Sequence, residues 1–324
     1  MNLSLPTRTL GPDGPEVGAI GLGCMGMSWA YNPEDRDDER SISVIRGALD
    51  LGVTLIDTAD AYGPYTNEEL VGRALEGHRE NAVLATKCGL EVRSIEPMEI
   101  ARNGHPEHVR EAINGSLRRL RTDHVDLFQL HRTDPEAPVE ETWGAMAEAV
   151  AAGKARAIGM SEATVDELEA AHAIHPVATL QSEFSLWERG PHKNGVLAWC
   201  RAHETAFLPY SPLGRGFLTS QVTSETITAG DIRAANPRFA PGALEQNRAI
   251  VDRVREVADR HDATPGQVAL AWLLAQYERV VPIPGTRRLE RLTENAGAAH
   301  LDLSAEDLAE LDALPAPAGE RFRV

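Results

Sequence analysis

Cysteine is scarce in this 324-residue chain: Cys24, Cys88 and Cys200 are the three present, and no two stand at a paired spacing. That excludes a disulfide framework and a CxxC metal or redox site, and it fits a reducing compartment. Aromatic residues make up only 5% of the chain. No apolar run approaches the roughly 18 residues a spanning helix needs, so no membrane segment is expected. Basic residues are the minority, 32 against 49 acidic, which gives a formal charge of −17. Such a charge repels nucleic acid and anionic lipid at long range, so nucleic acid is not an expected partner. The opening MNLSLPTRTL lacks the basic stretch and apolar segment of a secretory signal, so a cytoplasmic location is expected.

What is present is an alternation. Eight strand-sized runs rich in Val, Ile and Leu occur at Val17–Leu22, Val53–Thr58, Ala82–Thr86, Val125–Leu130, Ala155–Gly159, Thr179–Ser182, Ala206–Pro209 and Val280–Ile283. They are nearly continuous in apolar residues, as parallel strands covered on both faces are. Amphipathic stretches separate them: Glu34–Leu51, Pro106–Leu120, Val139–Ala152, Val165–His172, Val196–Ala202 and Pro265–Gln276. Eight strand-helix alternations without a polar linker predict an α/β fold in one domain over residues 1–324, a closed (β/α)8 TIM barrel. Pro12-Asp13-Gly14 predicts an N-terminal β-hairpin that plugs one barrel end. From Gly214 to about Gln246 the chain reads as a long loop after strand seven, with helical periodicity resuming at Arg248. A loop of that length is either a lid or a surface insertion.

Active sites of such barrels lie at the C-terminal strand ends. Run two ends in Asp57, with Tyr62 five residues on; run three ends at Lys87 and run four at His131. These types suit delivery of a proton to a carbonyl oxygen. A free phenol has a pKa of about 10, and an ammonium at ~4 Å with an effective dielectric near 20 favours its anion by about 4 kcal/mol before desolvation is subtracted. Lys87 supplies that charge, Asp57 keeps the buried ammonium protonated, and His131 orients the substrate oxygen. No metal site is expected: His131 has no HxH or HxxxH partner, and Asp57 with Asp60 is too small a ligand set.

The loops after runs seven and eight, PYSPLGRG and PGTRR, carry glycines for close backbone approach, and Arg287, Arg288 and Arg291 cluster where the next helix starts, a place that attracts phosphate. Gly21-Leu22-Gly23-Cys24-Met25-Gly26 matches a GxGxxG pattern, but Ser28–Pro33 reads as loop where a dinucleotide-binding helix should begin; the glycines suit close packing at the barrel mouth instead. Trp29, Tyr31 and Trp187 are candidate substrate-pocket walls.

The motifs GAIGLGCMGMS, DTADAYGPYTNEELVGRAL, VLATKCG, VDLFQLHR, AIGMSEA, LQSEFSLWER, PYSPLGRGFL and VPIPGTRRLERLTENAGA, in that order and over nearly the whole chain, resemble the aldo-keto reductase family and its long-loop bacterial branch. The resemblance implies Asp57, Tyr62, Lys87 and His131 as a catalytic tetrad with Tyr62 as general acid, and an NADP(H) cofactor lying across the strand ends. It places Gly23, Cys24 and Met25 among the cofactor contacts and gives Ser161 and Gln181 the nicotinamide carboxamide, with Tyr210 stacked on the ring. It gives Ser211, Leu213, Gly214 and Gly216 the pyrophosphate. Gly285, Thr286, Arg287, Arg291, Glu294 and Asn295 then hold the adenosine and its 2′-phosphate. Glu162 stands where many relatives carry asparagine, and Cys88 where an aromatic is frequent. The expected activity is reduction of aldehydes or ketones by NADPH. Two rival readings stand beside it: a cofactor-binding regulatory barrel with little turnover, and a Schiff-base aldolase using Lys87.

Overall fold

The computed structural model describes residues 5–95, 98–223, 226–227 and 231–321. Its strands are β1 (Thr7–Thr9), β2 (Glu16–Gly18), β3 (Leu22–Gly23), β4 (Leu55–Asp57), β5 (Val83–Cys88), β6 (Leu90–Ile95), β7 (Met98–Arg102), β8 (Val125–Leu130), β9 (Ala155–Ser161), β10 (Thr179–Glu183) and β11 (Ala206–Tyr210). Seven of them form one parallel sheet in the order β11-β10-β9-β8-β5-β4-β3. The helices Asp38–Asp50, Thr66–Leu75, Pro106–Leu120, Val139–Ala151, Val165–His172, Val196–Ala202, Pro265–Leu274 and Leu289–Gly297 lie between strands or follow them. This is the (β/α)8 barrel read from the alternation.

The eighth stave differs from expectation. Val280–Ile283 is an extended segment held by two isolated parallel bridges, Phe207 to Val280 and Gly23 to Gly285. Val281 and Ile283 donate to the Phe207 and Pro209 carbonyls on one side at 2.9 and 3.0 Å. The residues between and after them are Pro282 and Pro284, which have no N–H to give and only accept, from Gly21 and Gly23 at 2.9 and 3.3 Å. Glycine is required at this seam. A Cβ on Gly23 would sit 2.9 Å from the Ile283 carbonyl oxygen, and one on Gly285 3.1 Å from that of Gly23.

The first run, Val17–Leu22, is also not one strand. Its start belongs to β2, which pairs antiparallel with β1 in the N-terminal hairpin, and its end to β3. Leu10 and Val17 of that hairpin pack against Leu55, Ala85, Leu127, Ala206, Leu208, Val281 and Ile283, the apolar filling of the barrel interior, so the hairpin does plug one end. A second hairpin, β6 with β7, follows β5 and was not visible as an apolar run. In the long loop the structure corrects the reading of Gly214–Gln246 as irregular throughout. Gly214–Thr219, Ile232–Ala235 and Pro237–Phe239 are 3-10 turns, and a helix runs over Pro241–Arg260, starting seven residues before Arg248. Residues 224–225 and 228–230 of that loop lie outside the described residues. The short helix Met25–Ser28 occupies part of the segment expected to be loop. Among the described residues, no helix is long and apolar enough to cross a membrane.

Candidate active site

Side chains on a strand alternate between faces. Leu55, Ala85, Leu127, Ala206 and Leu208 fill the interior, while Ile56, Leu84, Phe128, Leu180 and Phe207 join the outer core under the helices. Continuing the inward set by steps of two toward the C-terminal ends gives Asp57, Lys87, Gln129, His131 and Tyr210, and the same register carries Ser161 and Gln181. The change from apolar to polar along one face puts the chemistry at one end of the barrel.

There the structure brings together the four residues expected. Lys87 is fully buried, and its Nζ donates to Asp57 Oδ1 at 2.6 Å, to the Thr58 carbonyl at 2.7 Å and to Tyr62 Oη at 3.2 Å. The ammonium also lies 4.9 Å from the centre of the Tyr62 ring. The His131 ring stands edge-on to Tyr62 with centroids 5.7 Å apart. Asp57 receives two further donors on Oδ2, Gln181 at 2.9 Å and Gln129 at 3.3 Å. Three donors thus converge on this one buried carboxylate.

The electrostatics correct one expectation. Burial raises the Tyr62 phenol above its ordinary value, and the charge of Lys87 draws it back only in part. Burial also works against the Lys87 ammonium, but Asp57 and Tyr62 outweigh it and the net shift is upward. His131 is held well below its usual value by burial first, then by Lys87 and Arg132, so the imidazole is neutral, with Nδ1 unpartnered. The site therefore brings a protonated phenol, a charged amine and a neutral imidazole together, a set able to give a proton to an oxygen that becomes negative.

Ser161 and Gln181 are register partners on β9 and β10. Since a carboxylate only accepts, the Gln181 amide turns its NH2 to Asp57 and its oxygen away. Arg132 donates to Ser161 Oγ at 3.1 Å, which leaves the serine hydrogen for another acceptor. One donor and one acceptor side by side fit the two ends of a primary carboxamide. Tyr210 is half-buried, and its hydroxyl accepts from Arg321 at 3.2 Å.

At the far end of the mouth, Arg287 donates to the Asn32 carbonyl at 3.3 Å and lies 3.8 Å from Asp35. Burial lowers its pKa, and the charges of Arg40, Arg36 and Arg288 lower it further. Like charges gathered on a chain of net charge −17 mark a place for an anion. Arg291 bonds Gln221 at 2.7 Å, Glu294 accepts from Thr264 at 2.7 Å, and Asn295 is buried. Thr286 accepts from the backbone N–H of Arg288 at 3.1 Å at the start of the Leu289–Gly297 helix, which has no side-chain cap. Ser211, Gly214 and Gly216 all have positive φ, in a tight turn closed by Gly214 N to Ser211 O at 2.9 Å and Gly216 N to Leu213 O at 3.0 Å. A Cβ on Gly214 would stand 2.7 Å from the Trp187 ring. Cys24 is buried, its backbone N–H bonded to the Asp57 carbonyl at 2.9 Å, and Met25 opens the short helix after it.

Of the pocket candidates, Trp29 stands beside Tyr62, with centroids 5.9 Å apart, and Tyr31 lies under Arg233 of the long loop, whose Ile232 N–H reaches the Ala30 carbonyl at 3.1 Å. Trp187 is packed rather than open, stacked on Phe217 at 4.2 Å and edge-on to Phe239 at 5.1 Å. Among the described residues no cluster of His, Cys, Asp and Glu suits a metal ion.

Sequence reasoning missed several residues of this mouth. Gln129 interrupts an apolar run two positions before His131, and Arg132 follows His131 directly, so both were findable from the strand period. Arg36 and Arg40 stand near Arg287 only through the fold. Arg321, which bonds Glu162 at 2.7 Å and Glu183 at 2.9 Å, comes from the far end of the chain and leaves no local signal. Glu162 itself has φ of 57° and also accepts from the Glu183 N–H at 2.9 Å. Left-handed backbone suits asparagine better than glutamate, and these bonds hold the less suited residue.

The pattern of the Aldo/keto reductase family matches residues 19–316. A relative from Glycine max, described as probable aldo-keto reductase 1, is 43% identical over 308 residues, covering 94% of this chain and 88% of its own. Among solved structures, the glycerol dehydrogenase AKR11B4 of Gluconobacter oxydans superposes with a TM-score of 0.86 at 29% identity, covering 98% of this chain and 99% of that one. An aldo-keto reductase of Klebsiella pneumoniae solved in complex with NADPH gives 0.73 at 28% identity over 99% of both chains. On the match over residues 19–316 and the identity to the Glycine max relative, this chain belongs to the aldo/keto reductase family.

Proposed function

We propose that the protein is an NADPH-dependent reductase of aldehydes and ketones in which Tyr62 is the general acid. The observation that carries the reading is the Lys87 ammonium set between Asp57 and the Tyr62 hydroxyl, with neutral His131 across the ring. When bound, the cofactor supplies a hydride to the carbonyl carbon. The chain's own residues do the rest. Tyr62 gives its proton to the carbonyl oxygen, Lys87 stabilises the phenolate left behind, and Asp57 keeps Lys87 charged. His131 lies where it can hold the substrate oxygen. Ser161 and Gln181 are suited to the carboxamide, Tyr210 to the nicotinamide ring, and the turn at Ser211, Leu213, Gly214 and Gly216 to the pyrophosphate. Gly23, Cys24 and Met25 are assigned to the same cofactor. Gly285, Thr286, Arg287, Arg291, Glu294 and Asn295 form the adenosine end, with the arginines for the 2′-phosphate. Trp29 and Tyr31 flank the substrate. Three buried free cysteines agree with a reducing, cytosolic setting.

The aldolase reading needs a neutral, free amine at Lys87, and three bonds together with an upward pKa shift oppose it. The regulatory reading is separated by turnover. Loss of absorbance at 340 nm with NADPH and 4-nitrobenzaldehyde is the expected result, and its absence over a panel of aldehydes and ketones would remove the proposal. In the same assay Arg287→Ala is expected to weaken NADPH binding by roughly 10- to 100-fold while NADH binding changes far less, since a charged hydrogen bond to phosphate is worth about 1.5–3 kcal/mol. Equal losses for both cofactors would show that Arg287 does not meet the 2′-phosphate.

The pH profile follows from the same shifts. His131 titrates well below 6.5 and Tyr62 above 10, so neither changes protonation between them. kcat/KM for reduction is expected to stay level from about pH 7 to about pH 9 and to fall as pH rises past 10, where the proton donor is lost. A limb centred near neutrality that vanishes in His131→Gln would contradict the neutral imidazole.

A further inference from the structure

Arg132 follows His131 directly, and the chemistry above gives it no contact with the substrate. Its Nη1 donates to the His131 backbone oxygen at 2.6 Å and to Ser161 Oγ at 3.1 Å, which ties the guanidinium to the ends of two adjacent strands. Among the described residues no carboxylate pairs with it. The acidic groups nearby are engaged elsewhere: Glu162 and Glu183 with Arg321 at 2.7 and 2.9 Å, and Asp57 with Lys87 at 2.6 Å. Nε and Nη2 have no protein acceptor among the described residues, and the side chain is only half-buried, so that edge is open to a solute. Its charge is felt at Tyr62, His131, Glu162 and Tyr210, which places it close to the reacting groups.

Half-burying an unpaired guanidinium does little for the fold, yet here it is fixed in position by two acceptors. A fork of N–H groups held in one plane is matched by a carboxylate, which takes two parallel bonds, better than by any neutral group. Trp29, whose ring centroid lies 5.9 Å from that of Tyr62, offers apolar surface for the carbon chain of a substrate.

We infer that Arg132 is a substrate-binding residue that seats a carboxylate, so that the preferred substrates are carbonyl compounds bearing an acid group, with the carbonyl oxygen against Tyr62 and His131. The inference rests on the reductase reading and deepens it by naming a substrate class.

The test compares 3- and 4-carboxybenzaldehyde with their methyl esters, which keep the shape and remove the charge, at low ionic strength. The quantity read is the ratio of kcat/KM for acid over ester. Wild-type enzyme should favour at least one acid by about fivefold or more, and added salt should erode that preference. Arg132→Gln should bring the ratio down by about fivefold or more, to near one, and Arg132→Lys should restore part of the preference. Because a ratio is read, any general loss from disturbing Ser161 cancels. If Arg132→Gln fails to fold, the salt dependence of the wild-type ratio decides alone. Turnover of the esters with no preference for either acid, or a preference that survives Arg132→Gln or high salt, overturns the carboxylate seat and leaves the reductase reading standing. Turnover of 4-nitrobenzaldehyde but of none of the four compounds overturns the carboxylate seat alone, and turnover of none of the five overturns both.

Discussion

Tyr62→Phe should lower kcat for carbonyl reduction by about 10²–10⁴-fold, the range over which a positioned general acid acts, with NADPH affinity near that of the wild type. The variant removes one oxygen. The ring keeps its place beside Trp29 and His131, and Lys87 keeps its bonds to Asp57 and to the Thr58 carbonyl. The lost proton has no ready substitute. His131 is neutral and set across the ring, and the Lys87 ammonium is held by Asp57 and Thr58. Single-turnover rates and cofactor fluorescence titrations give the two numbers. A variant within tenfold of wild-type kcat would show that another group delivers the proton.

Lys87→Met should act on both stability and rate. Lys87 and Asp57 are a buried ion pair, and removing one member leaves a charge in a site that cannot solvate it, at a loss of about 3–5 kcal/mol in unfolding free energy. Turnover should fall as well, because the phenolate formed at Tyr62 loses its counter-ion. The double variant Asp57→Asn with Lys87→Met should recover most of the stability, since no net charge is stranded, and none of the rate. Denaturant unfolding of the single and double variants measures the coupling. If Lys87→Met is as stable as wild type, or the double variant is no more stable than the single, the carboxylate and ammonium do not depend on each other.

Much of this site could be read from the residues because a parallel barrel converts position along a strand into position in space. Asp57, Lys87 and His131 each end an apolar run, and ends of neighbouring runs are neighbours. Tyr62 sits on the loop that follows. The same rule extends to Gln129, a polar residue set inside a mostly apolar run. It fails where the chain leaves the strand pattern. Leu90–Ile95 and Met98–Arg102 form a hairpin outside the barrel, with mixed polarity on both faces. Thr66–Leu75 opens with TNEE, too polar at its start to stand out as a helix. Val280–Ile283 has the composition of a strand, but its prolines deny it the ladder. The net pKa of Tyr62 was beyond the sequence for another reason. It is a balance between desolvation and one ammonium, and the first depends on every atom packed around the ring.

The closing of the barrel has its own consequence. Most neighbouring staves share a continuous ladder, whereas first and last meet through one lone bridge, Gly23 to Gly285, and two one-way bonds to the carbonyls of Pro282 and Pro284. The cylinder is thus least firmly laced along this line, and thermal opening should begin there before the opposite wall yields. Arg287 and Arg291 follow immediately on that line. A molecule gripped by them and by the mouth beyond would behave as a buckle across the gap, so occupancy and the integrity of the wall are joined in one equilibrium.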